Sequence, residues 1–366
     1  MSFLIGAFFA LTVGFAHADD TFAVTGVPVD VTADTAAAAR EQALLDGQHK
    51  AAGILLRRLT LQQDWGSLPV LADAQLFEVV EGIEVEREKI STVRYLGDLT
   101  VRFKPNAIRA LLRNANVRYA ETVSKPLVVL PVYRNGDSLQ LWDDSNPWLS
   151  AWGAHVSRGG LVPFVVPLGD LTDIATISAD EAVQGNSQKL AALAQRYQAA
   201  DALVVVATPV SGQSGVDVSA TRYGVAQQDR TDVIHVPGQG DDTGDALLAR
   251  AVEQVEFQVE ENWKQENILH FDQEQMLSVT VPLKELADWV TVHRKLGDIA
   301  AIRSVELQSL SKSEALVGLH YIGDIEQLKL GLAQKDLELD QDAATWTLHL
   351  AVPGVAPPPA APVETA

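Results

Sequence analysis

The sequence predicts a multi-domain protein of mixed α+β and α/β class. Short apolar runs typical of buried strands alternate with amphipathic helical patterns along the chain. At about 150 residues per domain, the 366 residues suffice for two or three domains. We expect five segments, which are a signal peptide (1–18), an α+β domain (19–119), an α/β domain (120–269), a ferredoxin-like domain (270–352) and a disordered Pro- and Ala-rich tail (353–366).

The first eighteen residues have the pattern of a cleavable export signal. The apolar run at 3–15 is shorter than the roughly 20 residues of a membrane-spanning helix, but it suits a signal peptide. Residues 16–18 (Ala-His-Ala) place small side chains at the −3 and −1 positions, and Asp19 begins a polar chain. No Lys or Arg precedes Phe3, which indicates that the true start lies upstream. The alternative to a signal peptide is that this segment forms a buried N-terminal helix. We expect a periplasmic protein without a lipid anchor, since no Cys follows the run.

Composition excludes several classes of function. The chain has 28 Lys and Arg against 48 Asp and Glu, a formal net charge of −20. Such a surface repels phosphate backbones, so we expect no nucleic-acid partner, and anionic membrane surfaces are disfavoured for the same reason. There are no cysteines, which excludes thiol catalysis, iron–sulfur clusters and Cys-based zinc sites. After the leader, no segment is predicted to be an integral membrane helix.

The first domain is predicted to form an antiparallel sheet with helices. The Val- and Thr-rich segment 22–31 favours a strand, and Asp34 can cap the helix that follows, whose apolar face includes Leu45, Ala52, Leu55, Leu56 and Leu59. The later elements are helices at 69–79 and 106–114 and strands at 83–90 and 95–103.

The second domain is predicted to have a partly parallel sheet, because continuous apolar runs suit strands buried on both faces. The strands are expected at 126–131, 161–168 and 202–207, with a hairpin of 216–223 and 230–236 and helices at 147–156, 186–198 and 245–263. The last helix has an apolar face ending in Trp263, and its other face holds Glu253, Glu256, Glu260 and Glu261.

The third domain shows a β-α-β-β-α-β pattern, which predicts a ferredoxin-like arrangement. The elements are strand 276–281, helix 283–296, strands 299–310 and 314–321, helix 325–333 and a last strand composed of 337–339 and 346–350.

An acidic, Trp-containing stretch is the candidate ligand or cation loop. Clustered carboxylates in a loop can hold a hard cation, and tryptophans can stack on a sugar or peptide. The candidate residues are Asp137, Trp142, Asp143, Asp144 and Trp148. The favoured interpretation is structural, with Asp144 or Asn146 as helix cap, Pro147 in the first turn, and Trp148 and Trp152 packed as an i, i+4 pair.

Other candidate motifs predict no catalytic, metal or cofactor site. His270, His293, His320 and His349 fall in the third domain, but no His-x-His or His-x-x-x-His spacing occurs. The glycine-rich segment 238–244 lacks Lys and contains Asp, so it predicts a helix-entry turn rather than a phosphate loop. The segment 212–215 (Gly-Gln-Ser-Gly) has the wrong spacing for a nucleophile elbow and predicts a hairpin turn.

Three stretches carry a family resemblance: 51–60 (AAGILLRRLT), 125–130 (KPLVVL) with 157–164 (SRGGLVPF), and 193–205 (LAQRYQAADALVV). They resemble a proteobacterial cell-envelope family designated domain of unknown function 2066. The last stretch is also similar to the helix-then-strand element in the N-terminal modules of periplasmic Tol-system proteins. The resemblance implies an envelope location, but the family has no established activity, so it assigns no functional residue.

Two classes of function remain open. The first is a non-catalytic binding or scaffold module of the envelope with a protein partner, because small α/β domains can bind partners through exposed sheet edges. The alternative is an envelope hydrolase whose carboxylates meet between the first and second domains, since paired carboxylates need only meet in space.

Overall fold

The protein is represented by a computed structural model that describes residues 21–157, 159–210, 214–224, 230–240, 242–268, 274–342 and 345–351. The predicted signal peptide and Pro- and Ala-rich tail lie outside the described residues, as do Gly212 and His270. Across the described residues the fold is mixed α and β, with three sheets and eleven helices. None of the described helices is long and apolar enough to cross a bilayer.

The chain divides into two compact units. One lies within Met1–Leu55 and Leu71–Ile108, and the other within Leu56–Val70 and Arg109–Ala366. Residues 56–70 belong to the second unit, and the two larger sheets share that unit.

The first unit contains an antiparallel sheet of three strands. The elements in chain order are β1 (Ala23–Thr32), α1 (Ala36–Leu59), a 3₁₀ turn (Gln62–Ser67), α2 (Asp73–Val79), β2 (Val80–Ile90), β3 (Arg94–Phe103) and α3 (Pro105–Asn114), of which the 3₁₀ turn and the ends of α1 and α3 belong to the second unit. The strand order is β1-β3-β2, so the expected antiparallel sheet is present. Gly47 in α1 allows close packing, since a Cβ there would collide with the side chain of Leu99 on β3.

The second unit begins with a mixed sheet. Its elements are β4 (Leu127–Asn135), β5 (Ser138–Gln140), α4 (Pro147–Ala154), β6 (Phe164–Val165), α5 (Leu171–Thr176), α6 (Ala179–Val183), α7 (Ser187–Arg196), β7 (Asp201–Pro209), β8 (Gly215–Tyr223), β9 (Arg230–Pro237) and α8 (Gly244–Glu266). The strand order is β5-β4-β7-β8-β9, with β6 beside β4. β4 runs parallel to β6 and β7, and β7, β8 and β9 are antiparallel, as the partly parallel prediction required.

One predicted strand of this sheet is much shorter than expected. Only two residues of the segment 161–168 form β6, and α5 and α6 follow where no helix was predicted. The physical reason is that the backbone N–H groups of Leu161 and Val162 donate to the Glu260 carboxylate instead of to a neighbouring strand. Gly169 then adopts a positive φ of 70°, which turns the chain away from the sheet.

The second unit ends with a sheet of five strands. Its elements are β10 (Glu274–Pro282), α9 (Leu286–Gly297), β11 (Ile302–Leu310), β12 (Glu314–Ile322), α10 (Ile325–Gln334), β13 (Leu337–Asp342) and β14 (Thr345–Leu350), and the strand order is β11-β12-β10-β14-β13. The predicted single last strand is wrong, because its two halves pair antiparallel with each other from Leu337 with Leu350 to Asp342 with Thr345. β14 also lies parallel to β10, between β10 and β13.

Candidate functional site

The side chains of the two tryptophans in the candidate acidic loop, Trp142 and Trp148, pack into the protein. Trp142 is half-buried and its indole N–H donates to the carbonyl of Ile177 at 2.8 Å. Trp148 is fully buried and donates to the carbonyl of Val205 at 3.1 Å. Trp152 packs edge-on against Trp148 with ring centroids 5.8 Å apart. These rings support the predicted structural role of the stretch.

Asn146 organises this loop. Its Oδ1 accepts hydrogen bonds from the backbone N–H groups of Trp148 (2.9 Å) and Leu149 (3.1 Å), so it is the N-cap of α4. Its Nδ2 donates to the carbonyls of Pro131, Gln140 and Leu141 at 3.0–3.1 Å. Of the two predicted caps, the structure therefore selects Asn146 rather than Asp144.

The carboxylates of the candidate loop are not gathered around a common point. Asp137, Asp143 and Asp144 are all exposed. Within the described ranges, no group of three or more His, Asp or Glu side chains is placed to hold a metal ion. The described histidines of the third predicted domain have separate partners. The His293 ring packs on Trp289, and His320 lies beside Glu306. His349 lies beside Glu338 and Asp340.

A cavity of about 290 Å³ lies between the sheet strands β7–β9 and helix α8. The apolar part of its wall consists of Leu203, Ala220, Val259 and Trp263. The polar part consists of Arg222, Arg230, Asp232, Asn262 and Glu266. Helix α8 supplies four of these nine residues because its apolar stripe packs on β8 and β9.

Two arginines face each other across the strand pair. Arg222 on β8 is directly opposite Arg230 on β9 in the antiparallel register. Like charges at such a position, with Cβ atoms about 5 Å apart, are destabilising unless other groups compensate them. Arg222 is compensated by Asp201, whose Oδ2 accepts from Nε at 2.8 Å and from Nη2 at 2.5 Å. The Arg222 guanidinium also lies 5.8 Å from the centroid of the Trp263 ring.

Arg230 is held more loosely. Its Nη2 donates to Oδ1 of Asn262 at 2.6 Å, and Nδ2 of Asn262 donates to Asp232 at 2.7 Å. Its contacts with carboxylates are longer: 3.3 Å from Nη1 to Glu266 and 3.5 Å from Nε to Asp232. The cavity wall thus contains two guanidinium groups and two carboxylate groups, and the carboxylate of Asp201 pairs with one of the guanidinium groups.

A second polar cluster lies on the adjacent stripe of α8, around Glu260. Its carboxylate accepts from the backbone N–H groups of Leu161 (3.0 Å) and Val162 (2.8 Å). Burial raises the pKa of Glu260, and the two backbone hydrogen bonds oppose that rise. A Cβ on Gly160 would collide with the Glu260 carboxylate, which explains a glycine at this position.

The same stripe makes two more polar contacts that are at least partly buried. Glu256 pairs with His155 at 2.7 Å, and burial raises the pKa of Glu256. Lys264 is almost fully buried, contacts Glu261, and donates to the carbonyl of Thr60 at 2.7 Å. The segments 51–60 and 157–164 therefore both contain backbone groups bound by charged side chains of α8.

Sequence reasoning did not single out Arg222, Arg230 or Asn262. The sequence signal for a site at these residues was weak. Arg222 and Arg230 lie at the turn ends of the two strands of a predicted hairpin, where charged residues are common. Their convergence depends on the strand register and on the position of α8.

The fold and these clusters define a two-unit α and β protein with a charge-lined cavity in its second unit. No family model matches the chain, and neither curated proteins nor solved structures give a match.

Proposed function

We propose that this protein is an exported, non-catalytic binding or scaffold module of a bacterial cell envelope. Its partner is another envelope protein, bound through an exposed sheet edge. Support for export comes from the leader pattern at 1–18, and the family resemblance favours the envelope.

The edge strand β9 is the observation that carries the binding proposal. Among the described strands, β9 pairs with β8 alone, so one side of its backbone is open. Its outward side chains Thr231, Val233 and His235 are exposed, and Val233 is 77% exposed. An extended segment of a partner can add to such an edge through main-chain hydrogen bonds.

The β2 edge of the first unit's sheet is much more highly charged than β9. Strand β2 is open on one side among the described strands, but its outer half is densely charged, with Glu84, Glu86, Arg87, Glu88 and Lys89. Charged residues on an edge discourage pairing with other chains. β9 has Val233 and Ile234 at its centre, so it is the better edge for a partner.

The contacts of Glu260 favour a non-catalytic binding module over the alternative, an envelope hydrolase. A buried carboxylate with a raised pKa is a candidate general acid. However, both oxygens of Glu260 already accept backbone hydrogen bonds from Leu161 and Val162, so the group holds a loop in place. Glu256 is in turn occupied by His155.

The export part of the proposal is tested by intact mass and N-terminal sequencing of the protein from fractionated native cells. We expect a periplasmic chain that begins at Asp19. A chain that retains Met1 in the cytoplasmic fraction would contradict export.

Binding at the β9 edge is tested by replacing Val233 with a photo-crosslinking residue in the native cells. We expect a reproducible adduct with one envelope protein, which mass spectrometry identifies, because Val233 lies at the centre of the open edge. The matched control is Val290 on α9, which is apolar and 62% exposed but does not lie on a strand. A Val233→Lys variant should reduce co-purification of that same protein at least fivefold, whereas Val290→Lys should not. Equal adducts from both positions, or unchanged co-purification with Val233→Lys, would refute binding at this edge.

A further inference from the structure

We propose that the cavity between α8 and strands β7–β9 binds a small zwitterion, an apolar α-amino acid. This site is distinct from the outer edge of β9, because its wall is formed by the inward side chains of the sheet and by α8. The proposal does not depend on the partner-binding function.

The carboxylate of the ligand would bind between the two opposed arginines. Nε and Nη2 of Arg222 are engaged by Asp201, whereas Nη1 has no hydrogen-bond partner among the described residues. The Arg230 side chain is 48% exposed, and only its bond to Asn262 is short. A guanidinium and a carboxylate prefer N···O distances of about 2.7–2.9 Å, so a ligand carboxylate offers Arg230 shorter contacts than the present 3.3 and 3.5 Å.

The ammonium group would bind on the acidic side of the cavity. When Arg230 turns to a ligand carboxylate, its long contacts with Asp232 and Glu266 are released. Both carboxylates lie in the cavity wall and can then accept from an ammonium group. A zwitterion adds no net charge to this partly enclosed cavity and can meet both the guanidinium and the carboxylate groups of its wall, whereas an anion or a cation adds a charge.

The rest of the wall selects an apolar side chain of modest size. Leu203, Ala220, Val259 and Trp263 present carbon surface, and the Trp263 indole N–H is already bound to the carbonyl of Thr122 at 2.7 Å. The volume of about 290 Å³ is just below the range of about 300–1,000 Å³ that is typical of sites for drug-sized ligands, so the cavity suits a smaller molecule. These features fit a leucine-sized amino acid.

The test is titration calorimetry of the purified mature chain with L-leucine, L-leucinamide and N-acetyl-L-leucine. We expect saturable binding of leucine and at least tenfold weaker binding of the other two, since each lacks one of the two charges. The melting temperature should rise with leucine concentration, as it does for any ligand that binds only the folded state. Equal affinity for the three compounds, or no saturable binding of leucine up to 10 mM, roughly the weakest affinity of interest, would overturn the proposal.

An Arg230→Gln variant locates the site. Arg230 is half-exposed, so the variant should fold, and we expect leucine affinity to fall at least tenfold. The matched control is Arg40→Gln in the first unit, since Arg40 is 51% exposed and likewise pairs with a carboxylate, Glu88. Leucine binding that survives in Arg230→Gln, or that is lost equally in Arg40→Gln, would place the ligand elsewhere and refute the assignment.

Discussion

Replacing Asn146 with Asp separates two roles that this one side chain performs. Asp is as good an N-cap as Asn, so the bonds from Trp148 and Leu149 to the side-chain oxygen should survive. The Asp side chain has no N–H, however, and it places a carboxylate oxygen against the carbonyls of Pro131, Gln140 and Leu141. If capping were the only role of Asn146, the substitution would be silent.

The magnitude follows from the hydrogen bonds that are lost. The two Nδ2 hydrogens serve three carbonyl groups at 3.0–3.1 Å, and each buried hydrogen bond contributes about 1–1.5 kcal/mol. Asn146→Asp should therefore reduce the free energy of unfolding by about 3 kcal/mol. Asn146→Ala should cost about 4 kcal/mol, because it loses the same amide bonds and, in addition, a cap that contributes about 1 kcal/mol.

The assay is urea unfolding followed by tryptophan fluorescence. Asn186 provides the matched control: it caps α7 by accepting from the N–H of Lys189, and its Nδ2 makes no hydrogen bond among the described residues. We expect Asn186→Asp to change the unfolding free energy by less than about 0.5 kcal/mol. A cost below about 1 kcal/mol for Asn146→Asp would refute the reasoning, because the amide contacts would then contribute almost nothing.

Two further predictions concern the loop held by α8. Gly160→Ala should destabilise the protein by about 1–3 kcal/mol in the same assay, because its Cβ displaces the Glu260 carboxylate from Val162. Gly153→Ala in α4 is the control and should be neutral or stabilising by up to about 1 kcal/mol, since its Cβ meets nothing within 4 Å. The pKa of Glu260 is raised in the folded state, so its contribution to stability is fully present below the unfolded pKa and is lost as the pH rises through the folded pKa. The stability of the wild type relative to Glu260→Gln should accordingly decrease as the pH rises above about 4.5, the ordinary pKa of Glu, and a difference that grows with pH would contradict the effect of burial.

Much of the secondary structure could be predicted because it depends on neighbouring residues. The apolar run 202–207 lies within β7, and the 3.6-residue periodicity of 245–263 identified α8. The candidate cap Asn146 followed by Pro147 correctly placed the start of α4. Such patterns are local, since propensity, capping and periodicity act over a few residues.

The strands that were predicted wrongly depend on hydrogen-bond partners that are far away in the sequence. The segment 161–168 has the composition of a buried strand, but Glu260, about one hundred residues later, accepts the N–H groups of Leu161 and Val162. The last predicted strand became the hairpin of β13 and β14, in which each half is the other's partner and β14 also pairs with β10. A backbone group bonds to whichever partner the tertiary fold brings near, and local composition does not specify that partner.

The sequence by itself determined the acidic balance, the leader pattern, the mixed α and β class and the structural character of the Trp148 loop. Only the tertiary structure decided the cavity site, because Arg222 and Arg230 meet through the β8–β9 register and α8 then brings Asn262 against them. It also decided that Glu260 is a loop anchor rather than a solvated charge. The physical reason is the same in both cases: the electrostatic role of a charged side chain depends on its burial and on the groups facing it, and chain folding sets both.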